Sequence, residues 1–364
     1  MTAIWIIGSI ILTVLVIIIY MNVDPGFGGK PGREQMEKLA KHSVYEKGCF
    51  KNSDEVPVML PNSYGKVLRL QFGDNPGRVP EAALPSVTPV LSDNSADNNV
   101  SYVWLGHSTV LIRMDSLTIL TDPVFSKRAS PFSFLGPKSF EYTNPVLPED
   151  IPFPDIILIS HDHFDHLDYR TIKKYYKSVK AFYVPMGIKS HLVRWGVQEE
   201  NITEFDWWEG KLCNEKVKFI AAPAQHFSGR RGQNNSTLWC SWIIKSKDKT
   251  IFISGDSGYS PHFAEIGDKY GPFDLAFVEC GAYGKYWPYI HMMPEQSVQA
   301  GIDVKAKTVV PIHWGKFNLS FHPWKEPIER FIEKANVDKL DYVIPIIGEQ
   351  IVMGSEYQNH SWWE

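Results

Sequence analysis

Six consecutive residues, His161 to His166 (HDHFDH), carry three imidazoles and two carboxylates directly after the apolar run DIILIS. Neutral imidazole nitrogens and carboxylate oxygens are the ligands that borderline divalent metals such as zinc prefer. Burying so many polar groups together would cost desolvation free energy, whereas a bound cation would satisfy them all. The segment therefore predicts a metal site with ligands among His161, His163, Asp165 and His166.

Three further residues of the same chemistry follow apolar runs later in the chain. His226 comes after VKFIAAPAQ, Asp256 after TIFISG and His313 after TVVPI. Since ligands collect beyond the carboxyl ends of strands in α/β sheets, we expect these segments to converge on the cluster. Taken alone, Asp256 is also typical of a turn and His313 of a packing residue.

The elements that must position these residues are short β-branched runs with helices between some of them. VWLGHSTVLIRM and LTILTDP predict a hairpin, and DIILIS, VKFIAAP, TIFISG, DLAFVE and TVVPI predict further strands. Helical patterns cover 169–178 and 294–306. The pattern is that of an α/β sandwich with mixed sheets.

Composition excludes several classes of protein. The chain has 364 residues with 37 basic and 41 acidic side chains, a formal net charge of −4, and no run of Lys or Arg. A general nucleic-acid binder needs a basic excess, so we expect no nucleic-acid partner. Its four cysteines contain no Cys-x-x-Cys pair, which argues against a disulfide framework and a thiolate zinc site. No pattern predicts an oligomeric state.

Residues 3–21 (AIWIIGSIILTVLVIIIYM) carry no charge and form a helix of about 28 Å at ~1.5 Å per residue, enough to span a bilayer. Neither a preceding basic residue nor a small-x-small cleavage site is present, so we expect a single-pass, uncleaved anchor. The basic residues that follow, from Lys30 to Lys47, predict a cytoplasmic catalytic domain.

We therefore divide the chain into an anchor (1–22), a linker and N-terminal extension (23–100) and a catalytic domain (101–364). The extension ends in a polar stretch, 91–99, that predicts a surface loop.

The cluster with its distant His, Asp and His resembles the signature of the metallo-β-lactamase superfamily. The resemblance implies an αββα sandwich in which His161, His163 and His226 bind one metal ion and Asp165, His166 and His313 a second. Asp256 would bridge the two ions. The cofactor expected is a pair of Zn²⁺ ions, although the ligand set suits iron and manganese as well.

A narrower resemblance links WLGHSTVLIRM, HDHFDHLD, PAQHFSGR, GDSGY, HMMPEQ and HWGKF to the N-acyl-phosphatidylethanolamine phospholipase D-like subgroup. It implies hydrolysis of membrane glycerophospholipids on the head-group side, with release of phosphatidic acid. Asp165 would orient the nucleophile, and His291 would lie near the phosphate and either bind it or protonate the leaving alkoxide. His107 and Asp122 would orient ligand histidines from behind, although Asp122 before a proline also suits a simple turn.

Aromatic residues precede His291, and they suit a site where head groups meet acyl chains. We take Tyr283, Trp287 and Tyr289 as candidate substrate-binding residues, although such a cluster is also common in ordinary cores. The alternative enzymatic reading is a metal-dependent lactonase or phosphodiesterase of a soluble small molecule. A membrane-tethered metal-binding protein without activity is the non-enzymatic alternative.

Overall fold

The computed structural model describes residues 2–42, 44–73, 75–91, 100–232 and 235–364. Its strands in chain order are β1 (Tyr45–Glu46), β2 (Cys49–Phe50), β3 (Ser101–Trp104), β4 (Val110–Met114), β5 (Leu117–Thr121), β6 (Ile156–Leu158), β7 (Ala181–Pro185), β8 (Ile202–Phe205), β9 (Gly210–Cys213), β10 (Val217–Ala222), β11 (Ser241–Lys245), β12 (Thr250–Ile253), β13 (Leu275–Glu279), β14 (Val309–Ile312) and β15 (Gln350–Val352). The α-helices are α1 (Thr2–Val23), α2 (Arg33–Leu39), α3 (Tyr64–Gln71), α4 (Tyr169–Tyr175), α5 (Lys189–Arg194), α6 (His262–Tyr270), α7 (Pro294–Asp303) and α8 (Glu326–Asp338).

These strands form two large mixed sheets and one small hairpin, β1–β2. One sheet has seven strands in the order β15-β3-β4-β5-β6-β7-β8, and the other has six in the order β14-β13-β12-β11-β10-β9. The predicted hairpin is confirmed as β4–β5, in which Met114 pairs with Leu117. Asp115 and Ser116 between them both have positive φ, as a tight two-residue hairpin turn requires.

The two sheets pack face to face through their aromatic and branched side chains. Tyr102 of β3 meets Phe277 of β13 edge to face at 5.1 Å, and Tyr183 of β7 meets Phe219 of β10 at 5.1 Å. Helices α6, α7 and α8 cover the outer face of the six-stranded sheet, and α4 and α5 cover that of the seven-stranded sheet. The predicted αββα sandwich is confirmed.

Strand direction brings the polar residues to one place. In the seven-stranded sheet β3, β5 and β6 run the same way, and their carboxyl ends lead to His107, Asp122 and the HDHFDH segment. In the six-stranded sheet β10, β12, β13 and β14 share a direction, and His226, Asp256 and His313 follow their ends. Because the two edges adjoin, four distant segments meet between the sheets.

The N-terminal helix α1 projects from this sandwich, and its side chains from Trp5 onward are largely exposed. Within it, Trp5–Val23 is long and apolar enough to cross a bilayer. The extension packs along the domain: the Leu60 backbone N–H donates to the Tyr286 carbonyl at 2.8 Å. Most of the predicted surface loop, residues 92–99, lies outside the described residues.

Candidate metal centre

Three histidines form the first half of the centre. The His161 Nε2 and His163 Nδ1 atoms are 2.9 Å apart, and His226 Nε2 is 3.3 Å from the same His163 nitrogen. The His161 and His226 side chains are buried. Three ring nitrogens thus converge on one point from two different sheets.

The opposite ring nitrogens show which tautomer each ligand adopts. His226 Nδ1 lies 2.8 Å from the Ile290 carbonyl oxygen, an acceptor, so Nδ1 carries the proton. Ser160 Oγ donates to Asp122 at 2.6 Å and accepts from His161 Nδ1 at 2.9 Å. In both histidines Nε2 therefore points its lone pair at the convergence point, the arrangement of metal-ligating imidazoles.

The second half of the centre contains Asp165, His166 and His313. His166 Nε2 lies 3.5 Å from Asp165 Oδ2, and His313 Nδ1 lies 3.0 Å from Asp256 Oδ1. Asp256 sits between the halves: its Oδ2 is 3.2 Å from His166 Nε2 and 3.8 Å from both His161 Nε2 and His226 Nε2. The structure thus brings all seven predicted ligand side chains together.

The local electrostatics follow from burial and from Asp256. Burial, together with His166, lowers the pKa of His161 well below its usual value, and burial does the same for His226. Burial opposes a charge on His166, yet Asp256 and the other nearby carboxylates raise its pKa well above the usual value. The His161 and His226 rings are consequently neutral, which is the form that binds a metal.

The residues fit a pair of divalent cations. His313 Nε2 is buried and makes no hydrogen bond within the described part of the chain. Orphaned buried nitrogens are rare unless a ligand satisfies them. Five imidazoles and two carboxylates without a thiolate are also the donor set of an open, hydrolytic dinuclear site.

Asp122 and His107 lie directly behind these side chains. Asp122 Oδ2 is 2.8 Å from His166 Nδ1, and its Oδ1 accepts from the Ser160 backbone N–H at 2.7 Å. His107 Nε2 is 2.9 Å from Asp165 Oδ2, and its ring is 4.1 Å from that of His313. These contacts can hold the ligand side chains in orientation.

The backbone around the centre is strained in three places. His107, Asp122 and His313 all have positive φ, at 55°, 38° and 67°. Non-glycine residues rarely adopt this region, and such strain concentrates at functional sites. Gly255, just before Asp256, also has positive φ (59°), and a Cβ there would lie 2.8 Å from the Cys240 carbonyl oxygen.

A cavity of about 280 Å³ opens onto the centre. Polar groups of the centre form its floor, and apolar side chains form much of its wall. The residues that line the whole cavity are Val58, Met59, His163, Asp165, Phe227, Asp256, Ala282, Trp287, Ile290, His291, His313 and Leu319. His291 therefore stands beside the predicted ligands with access to a bound molecule. Its Nδ1 is 4.0 Å from Asp256 Oδ2.

His291 is held by Glu279, a buried carboxylate that the sequence analysis missed. Glu279 Oε2 lies 2.9 Å from His291 Nδ1, and its Oε1 accepts from the Met292 backbone N–H at 2.8 Å. Burial, reinforced by Asp256, raises the pKa of Glu279 well above its usual value. Its position at the end of the predicted strand DLAFVE was the signal that would have found it.

Of the three candidate substrate-binding aromatics, the structure brings Trp287 to the cavity wall but not Tyr283 or Tyr289. The Tyr283 hydroxyl donates to Glu326 at the start of α8, and its ring stacks on His322 at 4.2 Å. Tyr289 presents its backbone carbonyl to the Gln225 amide at 2.9 Å. These contacts give the Tyr283 side chain a structural role, whereas the Tyr289 side chain is 40% exposed.

The N-terminal extension supplies site residues that the sequence analysis did not identify. Val58 and Met59 line the cavity. The Asn52 amide clamps the backbone of His226: Nδ2 donates to the His226 carbonyl at 2.9 Å, and Oδ1 accepts its N–H at 3.0 Å. No motif marks these residues, because only the fold brings 52–59 to the centre.

Comparison with known proteins agrees with this geometry. Residues 118–314 match the family described as Beta-lactamase superfamily domain. An uncharacterized protein of Mycobacterium tuberculosis is 38% identical over 327 residues, covering 88% of this chain and 87% of that protein. The N-acyl-phosphatidylethanolamine-hydrolyzing phospholipase D 1 of Caenorhabditis elegans is 34% identical over 277 residues, covering 71% and 77%. The solved structure of Igni18, a metallo hydrolase of Ignicoccus hospitalis, shares the fold with a TM-score of 0.55 at 20% identity, covering 71% of this chain and all of that one.

Proposed function

The chain belongs to the metallo-β-lactamase superfamily and is a hydrolase of that superfamily, and we propose that it is a membrane-anchored phospholipase D-type phosphodiesterase. Its substrates are N-acyl-phosphatidylethanolamine or related glycerophospholipids, and its cofactor is a pair of zinc ions. His161, His163 and His226 would hold one ion, Asp165, His166 and His313 would hold the other, and Asp256 would contribute to both.

The observation that carries this proposal is the composition of the cavity. With divalent cations bound to it, the floor with His163, Asp165 and Asp256 would suit a phosphodiester, and the wall with Phe227 and Leu319 suits alkyl groups. A lipid presents both chemistries side by side, and few soluble esters do. The similarity to the nematode phospholipase D supports the same substrate class.

Bound divalent ions would supply a Lewis acid for the phosphate oxygen and would lower the pKa of water at the site. The residues of the chain then position the attacking water and protonate the leaving oxygen. Asp165 accepts a hydrogen bond from the attacking water and aims it at phosphorus. As the new oxygen–phosphorus bond forms, the bond to the head-group oxygen breaks. His291, held by Glu279, donates a proton to that oxygen, while the proton lost by the attacking water passes to Asp165. Phosphatidic acid and the free head-group alcohol result.

Helix α1 is the proposed membrane anchor, with the catalytic domain on the cytoplasmic side. A neighbouring loop, Pro131 to Leu135, supports this attachment: Phe132 stacks on Tyr20 of α1 at 5.4 Å. The next apolar residues, Phe134 and Leu135, are 76% and 58% exposed. Exposed aromatic and aliphatic side chains beside a membrane helix suit the interface of the same bilayer.

The test is to incubate the purified, metal-analysed protein with a mixed phospholipid extract and to follow the products by mass spectrometry. We expect phosphatidic acid from the wild type. The Asp256→Asn variant should retain less than half of the metal and lose turnover by ~100-fold or more, because negative charge is removed from between two dications. Opening of a lactone without any lipid turnover would contradict the proposal.

A further inference from the structure

A second cavity, of about 570 Å³, lies where α1 leaves the sandwich. Five basic and three acidic side chains are part of its lining: Asn22, Gly29, Lys30, Gly32, Glu34, Gln35, Lys38, Lys189, Ser190, Val193, Arg194, Glu199, Glu204 and Arg231. None of these residues lines the cavity at the metal centre.

Two of the lysines have their own counter-charges. Lys38 Nζ is 3.0 Å from Glu34, and Lys189 Nζ is 2.9 Å from Glu199. The third carboxylate, that of Glu204, accepts from the Gly187 backbone N–H at 2.6 Å. Lys30, Arg194 and Arg231 form no ion pair with any carboxylate in the described ranges, so the cavity keeps an excess of positive charge.

The two arginines lie side by side because they share acceptors. Arg194 donates to the carbonyl oxygens of Asn22 at 2.8 Å and Gly28 at 2.9 Å. Arg231 donates to the side chain of the same Asn22 at 3.3 Å and to the same Gly28 oxygen at 3.0 Å. Burial, and then the Arg194 charge, lower the pKa of Arg231. The Arg231 Nε is also buried without a hydrogen-bond partner among the described residues.

The position of this pair determines which anion can reach it. Asn22 and Val23 are the last residues of α1, so in the proposed membrane attachment the guanidinium groups lie at the depth where the helix enters the head-group layer. Phosphate groups of lipids are concentrated in that layer, and basic residues beside a membrane helix attract anionic lipids. Guanidinium groups also match phosphate oxygens in geometry.

We propose that this second cavity binds the phosphate of an anionic phospholipid through Lys30, Arg194 and Arg231. The proposal rests on the membrane attachment of the proposed function, and it adds a lipid site separate from the metal centre. A lipid held there fixes the orientation of the domain relative to α1 and to the bilayer.

The test uses the full-length protein in nanodiscs of phosphatidylcholine with a minor fraction of phosphatidylglycerol. Native mass spectrometry counts the lipids of each class that remain bound after release. We expect the wild type to retain phosphatidylglycerol in preference to phosphatidylcholine, and the Arg194→Gln/Arg231→Gln variant to lose this preference by about fivefold or more. Because Arg194 also binds the end of α1, a second variant, Lys30→Gln/Arg231→Gln, keeps the Arg194 contacts. This variant should also lose the preference for phosphatidylglycerol.

Lys245→Gln/Lys247→Gln is the matched control, since both lysines are exposed at the far end of β11 from the metal centre. Equal preference in wild type and both cavity variants, or an equal loss in the control, would overturn the proposal. So would complete displacement of the lipid by millimolar inorganic phosphate, which would indicate a site for free phosphate. Phosphatidic acid formation is measured in parallel nanodiscs that also contain N-acyl-phosphatidylethanolamine. If no phosphatidic acid forms while the preference for phosphatidylglycerol is retained, the proposed activity is contradicted. If phosphatidic acid forms but the protein shows no preference for phosphatidylglycerol, the proposed lipid site is contradicted.

Discussion

At the scale of single residues, the contact between Asn52 and His226 shows that the extension takes part in building the metal centre. One amide satisfies both backbone groups of a proposed ligand, and its Oδ1 also accepts from Trp239 Nε1 at 3.0 Å. Removing the amide would let His226 shift without removing any ligand. We expect Asn52→Ala to lower metal affinity by ~10–100-fold, measured by equilibrium dialysis against a competing chelator.

Asn359→Ala is the matched control for that variant. Asn359 clamps another backbone segment in the same way, accepting from the Ile344 N–H at 2.7 Å and donating to the Tyr342 carbonyl at 3.0 Å. We expect it to lower thermal stability and to leave metal affinity unchanged. Equal losses of affinity in both variants would mean that Asn52 acts only through general stability.

His262 gives the fold a pH dependence that is separate from the metal ligands. Burial lowers its pKa to about 3, from 6.5 in the unfolded chain. As pH falls below 6.5, His262 becomes protonated in the unfolded state but stays neutral in the folded state, so the free energy of unfolding falls. Between pH 7 and pH 5 the loss from this residue is about 2 kcal/mol.

Urea unfolding of the full-length protein in detergent at the two pH values checks this prediction. The His262→Gln variant should lose less stability on acidification than the wild type, and the exposed His360→Gln serves as the control. An identical loss in all three proteins would remove His262 from the explanation.

How far the site could be predicted depends on whether its residues carry a local pattern. The HDHFDH segment and the residues after apolar runs were visible because strand ends and ligand chemistry are both local features of the sequence. Glu279 also lies at the end of an apolar strand run, although it was not among the predicted site residues. The orientation of the Tyr283 side chain depends on its hydrogen bond to Glu326 in α8. The position of Met59 at the cavity depends on packing against residues that are far away in the sequence. Neither feature is marked by a local sequence pattern.

At the scale of elements, the parallel strands explain why the centre lies at one edge of the sandwich. Apolar strand runs predicted β6, β10, β12, β13 and β14. The shared direction of β12, β13 and β14 follows from their crossover connections, and β10 runs the same way because antiparallel β11 lies between it and β12. The pairing order could not be predicted, because register is set by contacts between distant strands. The positive φ of His313 likewise depends on its backbone N–H donating to the His107 carbonyl at 2.9 Å.

The loop Pro131 to Leu135 carries the prediction that belongs to this scale. If it lies in the bilayer interface, Phe134→Ser/Leu135→Ser should slow the turnover of lipid vesicles several-fold, because buried apolar area is lost at the membrane. Hydrolysis of a soluble phosphodiester should not change. Val337→Ser, an equally exposed apolar position on α8, is the control. A parallel loss on both substrates would show that the loop supports the fold and not membrane contact.

At the scale of the whole molecule, the segment that follows α1 is joined to the sandwich by specific contacts. The Trp195 indole N–H donates to the Pro25 carbonyl at 2.6 Å, and Arg230 donates to the Gly26 carbonyl at 2.7 Å. Arg230 also donates to the Asp162 carbonyl, within the histidine-rich segment, at 2.7 Å. The segment after α1 is thus connected directly to the loop that carries the proposed ligands.

Deletion of residues 1–22 tests the anchor. We expect the truncated protein in the soluble fraction with its metal content intact, because the contacts with Pro25 and Gly26 remain. Ultracentrifugation of lysates and elemental analysis of the purified protein measure the two outcomes. Sedimentation of the truncated protein with membranes would show that α1 is not the sole attachment.

We infer that seven side chains from four segments hold two divalent ions between the sheets. Anomalous diffraction from crystals reconstituted with zinc tests it most directly. We expect two peaks ~3.5–4 Å apart, one beside His161, His163 and His226, the other beside Asp165, His166 and His313, with Asp256 between them. A single peak, an empty centre after reconstitution, or an Asp256 side chain turned away from both ions would contradict it.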